Sequence, residues 1–111
     1  LTEILGRIVR SGQGSFLAVL KLFGSRVSPG LMSFPIEGPC LALDFPNKGK
    51  RTLDLLDDLD SIVMASGGCV YPAKDNRMSA AAFQQYFPQM NDFVEHIDPA
   101  FSSDFWRRVS D

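Results

Sequence analysis

The run Gly67-Gly68-Cys69-Val70-Tyr71-Pro72-Ala73-Lys74-Asp75-Asn76-Arg77 puts a lysine just past a short apolar stretch. Pro72 stiffens the approach, and Asp75 and Arg77 stand beside it. An ammonium held at such a point can stabilise negative charge that develops on a bound ring. The plainer reading of Lys74 is a solvated side chain with local ion pairs, which are worth little. Lys21 is a second candidate, placed mid-strand between Val19 and Phe23. It could hydrogen-bond a sugar hydroxyl or an acidic group at a sheet surface, or simply lay its stem along a partly exposed face with the charge in water. Cys40 and Cys69 could be reactive thiols, yet no neighbouring group in the sequence would activate them, and packing is the simpler account. They are expected as free thiols of a reduced compartment, with a disulfide left open. His96 falls near a helix end, where a cation is favoured, but no nucleophile or carboxylate is paired with it. One histidine and no C-x-x-C spacing argue against zinc. No G-x-G-x-x-G or G-x-x-x-x-G-K-[ST] run is present, so the chain has no nucleotide fingerprint of its own.

The elements that must carry these residues follow from periodicity. Leu1, Ile4, Leu5, Ile8 and Val9 recur at helical spacing over 1–11, and Ser11-Gly12-Gln13-Gly14 ends that helix. Residues 15–23 alternate. Phe16, Ala18, Leu20 and Leu22 share a face suited to packing on helices; Leu17, Val19, Lys21 and Phe23 share the other. The Gly- and Pro-rich stretch 24–38 reads as a long loop or a wide hairpin connection. A second strand over 40–45 puts Cys40, Ala42 and Asp44 on one side, and Pro46 stops it. Thr52 is a plausible N-cap for a helix to about Ser66 with the stripe Leu53, Leu56, Leu59, Ile62 and Val63; its aspartates decorate the wet side. Gly67-Gly68 supplies a left-handed end, and Cys69-Val70-Tyr71 a short third strand. Ser79 can cap a helix through Tyr86, Pro88 can open another through Gln89–His96, and Ser103 or Asp104 can cap a last one with Trp106 as its apolar anchor.

The predicted class is α+β: an incomplete ferredoxin-like α-β-β-α-β unit with an antiparallel sheet, followed by C-terminal helices. The strand it lacks would lie inside the sheet, between the second and third strands present. Unpaired backbone groups would then line two strands, so self-association is expected. With 111 residues and 45% hydrophobic content, the chain has one domain's worth of core. A net charge of −2 offers no basic field for a nucleic acid. No apolar run reaches the roughly 18 residues of a spanning helix, and no signal-peptide pattern opens the chain. Leu1 begins inside a helical pattern, which suggests a piece of a longer polypeptide.

Several segments in the right order carry a resemblance. They are Ser15–Gly24, Leu31–Gly38, Leu43-Asp44-Phe45-Pro46, Gly67–Asp75 and Phe101–Arg108. Together they resemble the C-terminal part of the decaprenylphosphoryl-ribose oxidases, within the vanillyl-alcohol-oxidase and aldonolactone-oxidase class of FAD-linked flavoproteins. In that class an N-terminal domain, absent here, holds most of the FAD. A cap domain with an antiparallel sheet covers the flavin ring, and the chain then returns to the flavin domain. The resemblance therefore implies that 1–70 is the end of the cap and 71–111 the returning segment. It implies oxidation of a sugar or polyol alcohol by hydride transfer to flavin, with Lys74 catalytic and cofactor-binding and Tyr71 beside it. It implies a substrate wall of Leu17, Val19, Lys21, Phe23, Cys40 and Ala42. The match breaks at two of these: mycobacterial members carry Asn where Cys40 stands and Cys where Ala42 stands. That removes a polar contact and a thiol, which loosens the expectation of the same sugar while keeping the flavin chemistry.

Two functions of different kinds are then in play. One is an FAD-dependent sugar-alcohol oxidoreductase of which this is an inactive fragment, cytoplasmic, or membrane-associated if its substrate is a lipid-linked sugar, and served by a partner reductase. The other is a non-enzymatic ferredoxin-like binding module that recruits a partner through an open sheet edge.

Overall fold

A computed structural model of the chain describes residues 1–74 and 76–110. Helix α1 (Thr2–Ser11) leads into an antiparallel pair, β1 (Leu17–Phe23) and β2 (Gly38–Asp44). Helix α2 (Lys50–Ala65) follows, then a 3-10 turn (Pro72–Lys74), α3 (Ala80–Tyr86), α4 (Met90–Val94) and α5 (Asp104–Ser110). The fold is α+β with C-terminal helices, as the sequence implies.

Local chemistry sets most boundaries. Gly12 takes φ 64° and closes α1 by donating its N–H to Val9 O. The hydroxyl of Ser15 pins the open end of the strand pair: Asp44 N donates to it at 2.9 Å, and it lies 3.0 Å from Asp44 O. Gly67 at φ 69° closes α2, with Gly68 N donating to Val63 O and Gly67 N to Met64 O. Ser79 Oγ accepts from Ala82 N at 3.2 Å to cap α3, and Ser103 Oγ accepts from Trp106 N at 3.0 Å to cap α5.

Three expectations are corrected. The long helix starts two residues before Thr52, because Gly49 at φ 70° takes the N-cap position. Thr52 is instead buried in the first turn, where its hydroxyl accepts from Lys48 N and donates to Gln13 Oε1 at 2.9 Å. Gln13 Nε2 in turn donates to Arg51 O, so α1's exit is tied to α2's start. The helix is accordingly rotated from the expected stripe: Leu55 and Leu59 are buried while Leu53 is exposed. Second, Cys69-Val70-Tyr71 forms no strand; among the described residues the sheet is β1 and β2 alone. A strand exists only by pairing, and the element expected between β2 and this segment is absent, so neither has that neighbour. Third, the Phe16, Ala18, Leu20, Leu22 face does not pack on helices: Leu20 is 60% and Leu22 81% exposed.

The core lies in the C-terminal helices. Met78, Ala82, Phe83, Phe87, Met90 and Val109 are buried together, with Phe105 and Trp106 packed against them. Phe83 is its hub, with ring centroids of Phe87 at 4.9 Å, Phe105 at 5.6 Å and Trp106 at 6.3 Å. Trp106 is thus an anchor, as its sequence suggests, but within this chain.

Candidate functional site

In an antiparallel pair, directly opposed residues share a face. The register sets Leu17 opposite Asp44, Val19 opposite Ala42, Lys21 opposite Cys40 and Phe23 opposite Gly38. Leu17, Val19, Lys21, Phe23, Cys40 and Ala42 therefore lie on one side of the sheet. Lys21 is exposed there and forms no ion pair among the described residues. The surface is an open apolar wall with one cation near its middle: Leu17 is 52% and Val19 40% exposed, while Cys40 and Phe23 are half-buried.

A row of rings joins this wall to the segment after α2. Phe23 meets Phe34 edge-on at 6.4 Å between centroids, and Phe34 meets Tyr71 at 5.1 Å. Tyr71 stands immediately before the 3-10 turn that ends on Lys74. Phe34 was hidden in the sequence within a loop, and the aromatic link depends on a contact across the chain that spacing does not show. Lys74 itself is exposed and has no ion pair among the described residues. Its sequence neighbour Asp75 lies outside the described residues. The ion pairing suspected around Lys74 belongs to Arg77, which binds Asp57 and Asp60 of α2.

The other candidates are quieter. Both cysteines are free. Burial pushes the Cys69 thiol up to about 11, and its Sγ lies 3.4 Å from Val70 O, so it is kept protonated and unreactive. His96 follows α4, which ends at Val94 rather than reaching it. Among the described residues no group of three or more His, Cys, Asp or Glu side chains could hold a metal ion. Two concavities lie away from the wall. One is between α1 and α2, lined by Arg7, Arg10, Arg51 and Asp58; the other is between α2 and α3, lined by Asp60, Arg77, Met78 and Tyr86. Both are gaps between helices, whereas the wall is an open sheet face that would need a second surface to become a pocket. Among the described residues no helix is long and apolar enough to cross a membrane.

No family model matches the chain. Curated relatives do, two of them as follows. Decaprenylphosphoryl-beta-D-ribose oxidase of Mycolicibacterium smegmatis is 38% identical over 112 residues, an alignment covering 96% of this chain and 24% of that protein. A protein of Streptomyces coelicolor, described as uncharacterised and encoded in the mprA 5′ region, is 36% identical over 114 residues, covering 98% of this chain and 31% of that one. The chain therefore spans 24% and 31% of the length of these two relatives, and over nearly its whole length it resembles part of an oxidase.

Proposed function

We propose that this chain is the cap-and-return part, 1–70 and 71–111, of an FAD-dependent oxidoreductase that oxidises a sugar or polyol alcohol. The observation that carries the reading is the shared face of Leu17, Val19, Lys21, Phe23, Cys40 and Ala42, tied through Phe34 to Tyr71 and so to the turn of Lys74. The likeness to part of an oxidase supports it. The residues suit such a cofactor in part. An apolar sheet face whose ammonium has no ion pair among the described residues suits an apolar ring and a polyol, while the sequence carries no nucleotide fingerprint. This chain then supplies a wall and two cations, and most of the binding energy must come from other polypeptide.

A bound flavin would supply the hydride acceptor for the alcohol carbon, and the hydroxyl proton would leave to solvent. Lys74 would hold its ammonium against the negative charge of the reduced group. Tyr71 would fix the approach to the turn. Lys21 would donate to a sugar hydroxyl, and Leu17, Val19 and Phe23 would exclude water around it. Cys40 and Ala42 leave a smaller, less polar surface opposite Lys21 and Val19 than an Asn and a Cys would, so the sugar accepted would differ from that in the relative's name.

The test is Lys74→Ala in the longer polypeptide. Flavin reduction by substrate should slow by about 10²–10³, the usual loss for one electrostatic stabiliser. An unchanged rate and flavin content would remove Lys74 from the site. The unpaired outer edge of β2 favours one second reading, a binding module that adds a partner's strand there. A flavin-domain sequence in the same reading frame upstream of Leu1 decides for the oxidase.

A further inference from the structure

We propose that Arg77 is a positioning residue for Lys74, acting through Asp57 and Asp60; the inference rests on the role given to Lys74 above. The connection from α2 to α3 carries both Tyr71 and Lys74 and contains only one turn of 3-10 helix, Pro72–Lys74, none of whose residues is buried. Nothing in that turn's own packing fixes where the ammonium stands. The connection is held at two points on either side of it. Upstream, the Tyr71 ring meets Phe34. Downstream, the two terminal nitrogens of Arg77 divide between two carboxylates: Nη1 to Asp57 Oδ1, and Nη2 to Asp60 Oδ2 at 2.8 Å.

The geometry is that of an orienting clamp. Asp57 and Asp60 are three residues apart on α2, so they lie on one face one turn apart, where a planar guanidinium can reach both at once. A forked contact fixes direction as well as distance, which a single point charge cannot do. The Arg77 side chain is only 22% exposed, so water screens these bonds less than it does the exposed Lys50–Asp54 pair. Helix α2 is a firm base, sixteen residues long and closed by the paired glycine turn. Immediately after Arg77 the chain enters the core: Met78 is 5% exposed, and its carbonyl accepts from Arg108 Nε at 3.2 Å. Arg77 thus stands where the rigid core ends and the exposed turn begins, and it sets the angle at which the turn leaves.

Two measurements test this. In this chain, Arg77→Gln should speed backbone hydrogen exchange over 72–77 by about tenfold while α3 and α5 keep their protection. In the flavin-loaded longer polypeptide, Arg77→Gln should slow flavin reduction by about tenfold and add nothing further to Lys74→Ala. Exchange that rises equally in α3 and α5 would make Arg77 a general stabiliser and overturn the proposal. So would losses from Arg77→Gln and Lys74→Ala that multiply. If Lys74→Ala is silent, the role of Lys74 fails, and the exchange data alone then decide whether Arg77 holds the turn.

Discussion

The two halves of this molecule are similarly apolar in sequence and end in opposite states. In the C-terminal half Phe83 is 3% exposed and Phe87 2%. In the N-terminal half Phe16 is 75% exposed and Leu22 81%. The difference lies in where each element finds a partner. Helices α3, α4 and α5 each bring buried apolar side chains to one cluster, Ala82 and Phe83, Met90, and Val109. A two-stranded ribbon has two faces and two edges, and α1 covers little: none of its residues is buried, and Val9 is 79% exposed. The consequence is visible in bulk. A compact monomer of 12.3 kDa would expose about 6,100 Å² with a radius of gyration of about 13 Å; this chain exposes 7835 Å² with a radius of 15.2 Å. The excess is of the order of one side of a substantial protein interface. Stability and the candidate site thus reside in different places, with the Arg77 clamp at the junction.

The contrast breaks first if the helical core is not what holds the chain together. Phe83→Ala removes the ring on which Phe87, Phe105 and Trp106 converge and should cost about 3–5 kcal/mol in urea or thermal unfolding. A loss below about 1 kcal/mol would mean the core tolerates a cavity and the halves are not so different. The junction of α1 with α2 comes next. Thr52→Val keeps the shape but strips the hydroxyl from Gln13, which is 6% exposed, and should cost about 1–3 kcal/mol.

Cys69 reports on the edge of the core through pH. Its folded pKa of about 11 lies above the ordinary 9.0 because burial favours the neutral thiol. The unfolded chain therefore loses this proton first as pH rises. The thiol's contribution is intact below pH 9 and disappears as pH climbs through about 11. After discounting for its partial exposure the effect is on the order of 1 kcal/mol. Unfolding measured from pH 8 to 11 should show that fall, and Cys69→Ala should flatten it. An identical slope in the variant would place the sulfur in a solvated setting.

Much of this was legible in the residues, and the misses share one cause. Ser79, Ser103, Gly12 and Gly67 set their helix ends because capping is decided within three or four residues. The two-residue period put Leu17, Val19, Lys21 and Phe23 on one face of the first strand and Cys40 and Ala42 on one face of the second, because alternation fixes sidedness within a strand; the register then joins the two sets. What failed needed a partner far along the chain. Thr52 reads as a cap until Gln13, 39 residues away, claims its hydroxyl. Residues 69–71 read as a strand until no neighbour is found to pair with them. Phe34 reads as loop filler until Phe23 and Tyr71 flank it. Asp57 and Asp60 read as wet decoration until Arg77 reaches back to them.

The smallest expected effect is the one that most sharpens the contrast. Leu22 lies on the sheet face opposite the candidate site and is 81% exposed. Leu22→Thr keeps strand propensity and removes apolar surface that water already touches, so in this chain it should shift stability by no more than about 0.5 kcal/mol. In the longer oxidase proposed above, the same face would be covered. Burying a leucine there is worth about 1.5–3 kcal/mol, and a threonine would also bring in a hydroxyl that needs a partner. Unfolding midpoints of the variant in the two contexts separate the cases. A near-zero change in the chain and a large one in the longer protein would mean that this face is apolar for the sake of an intramolecular neighbour. Near-zero changes in both would mean that the face is free in the complete protein as well, and its apolar character would then point to an external partner rather than to a missing part of the fold.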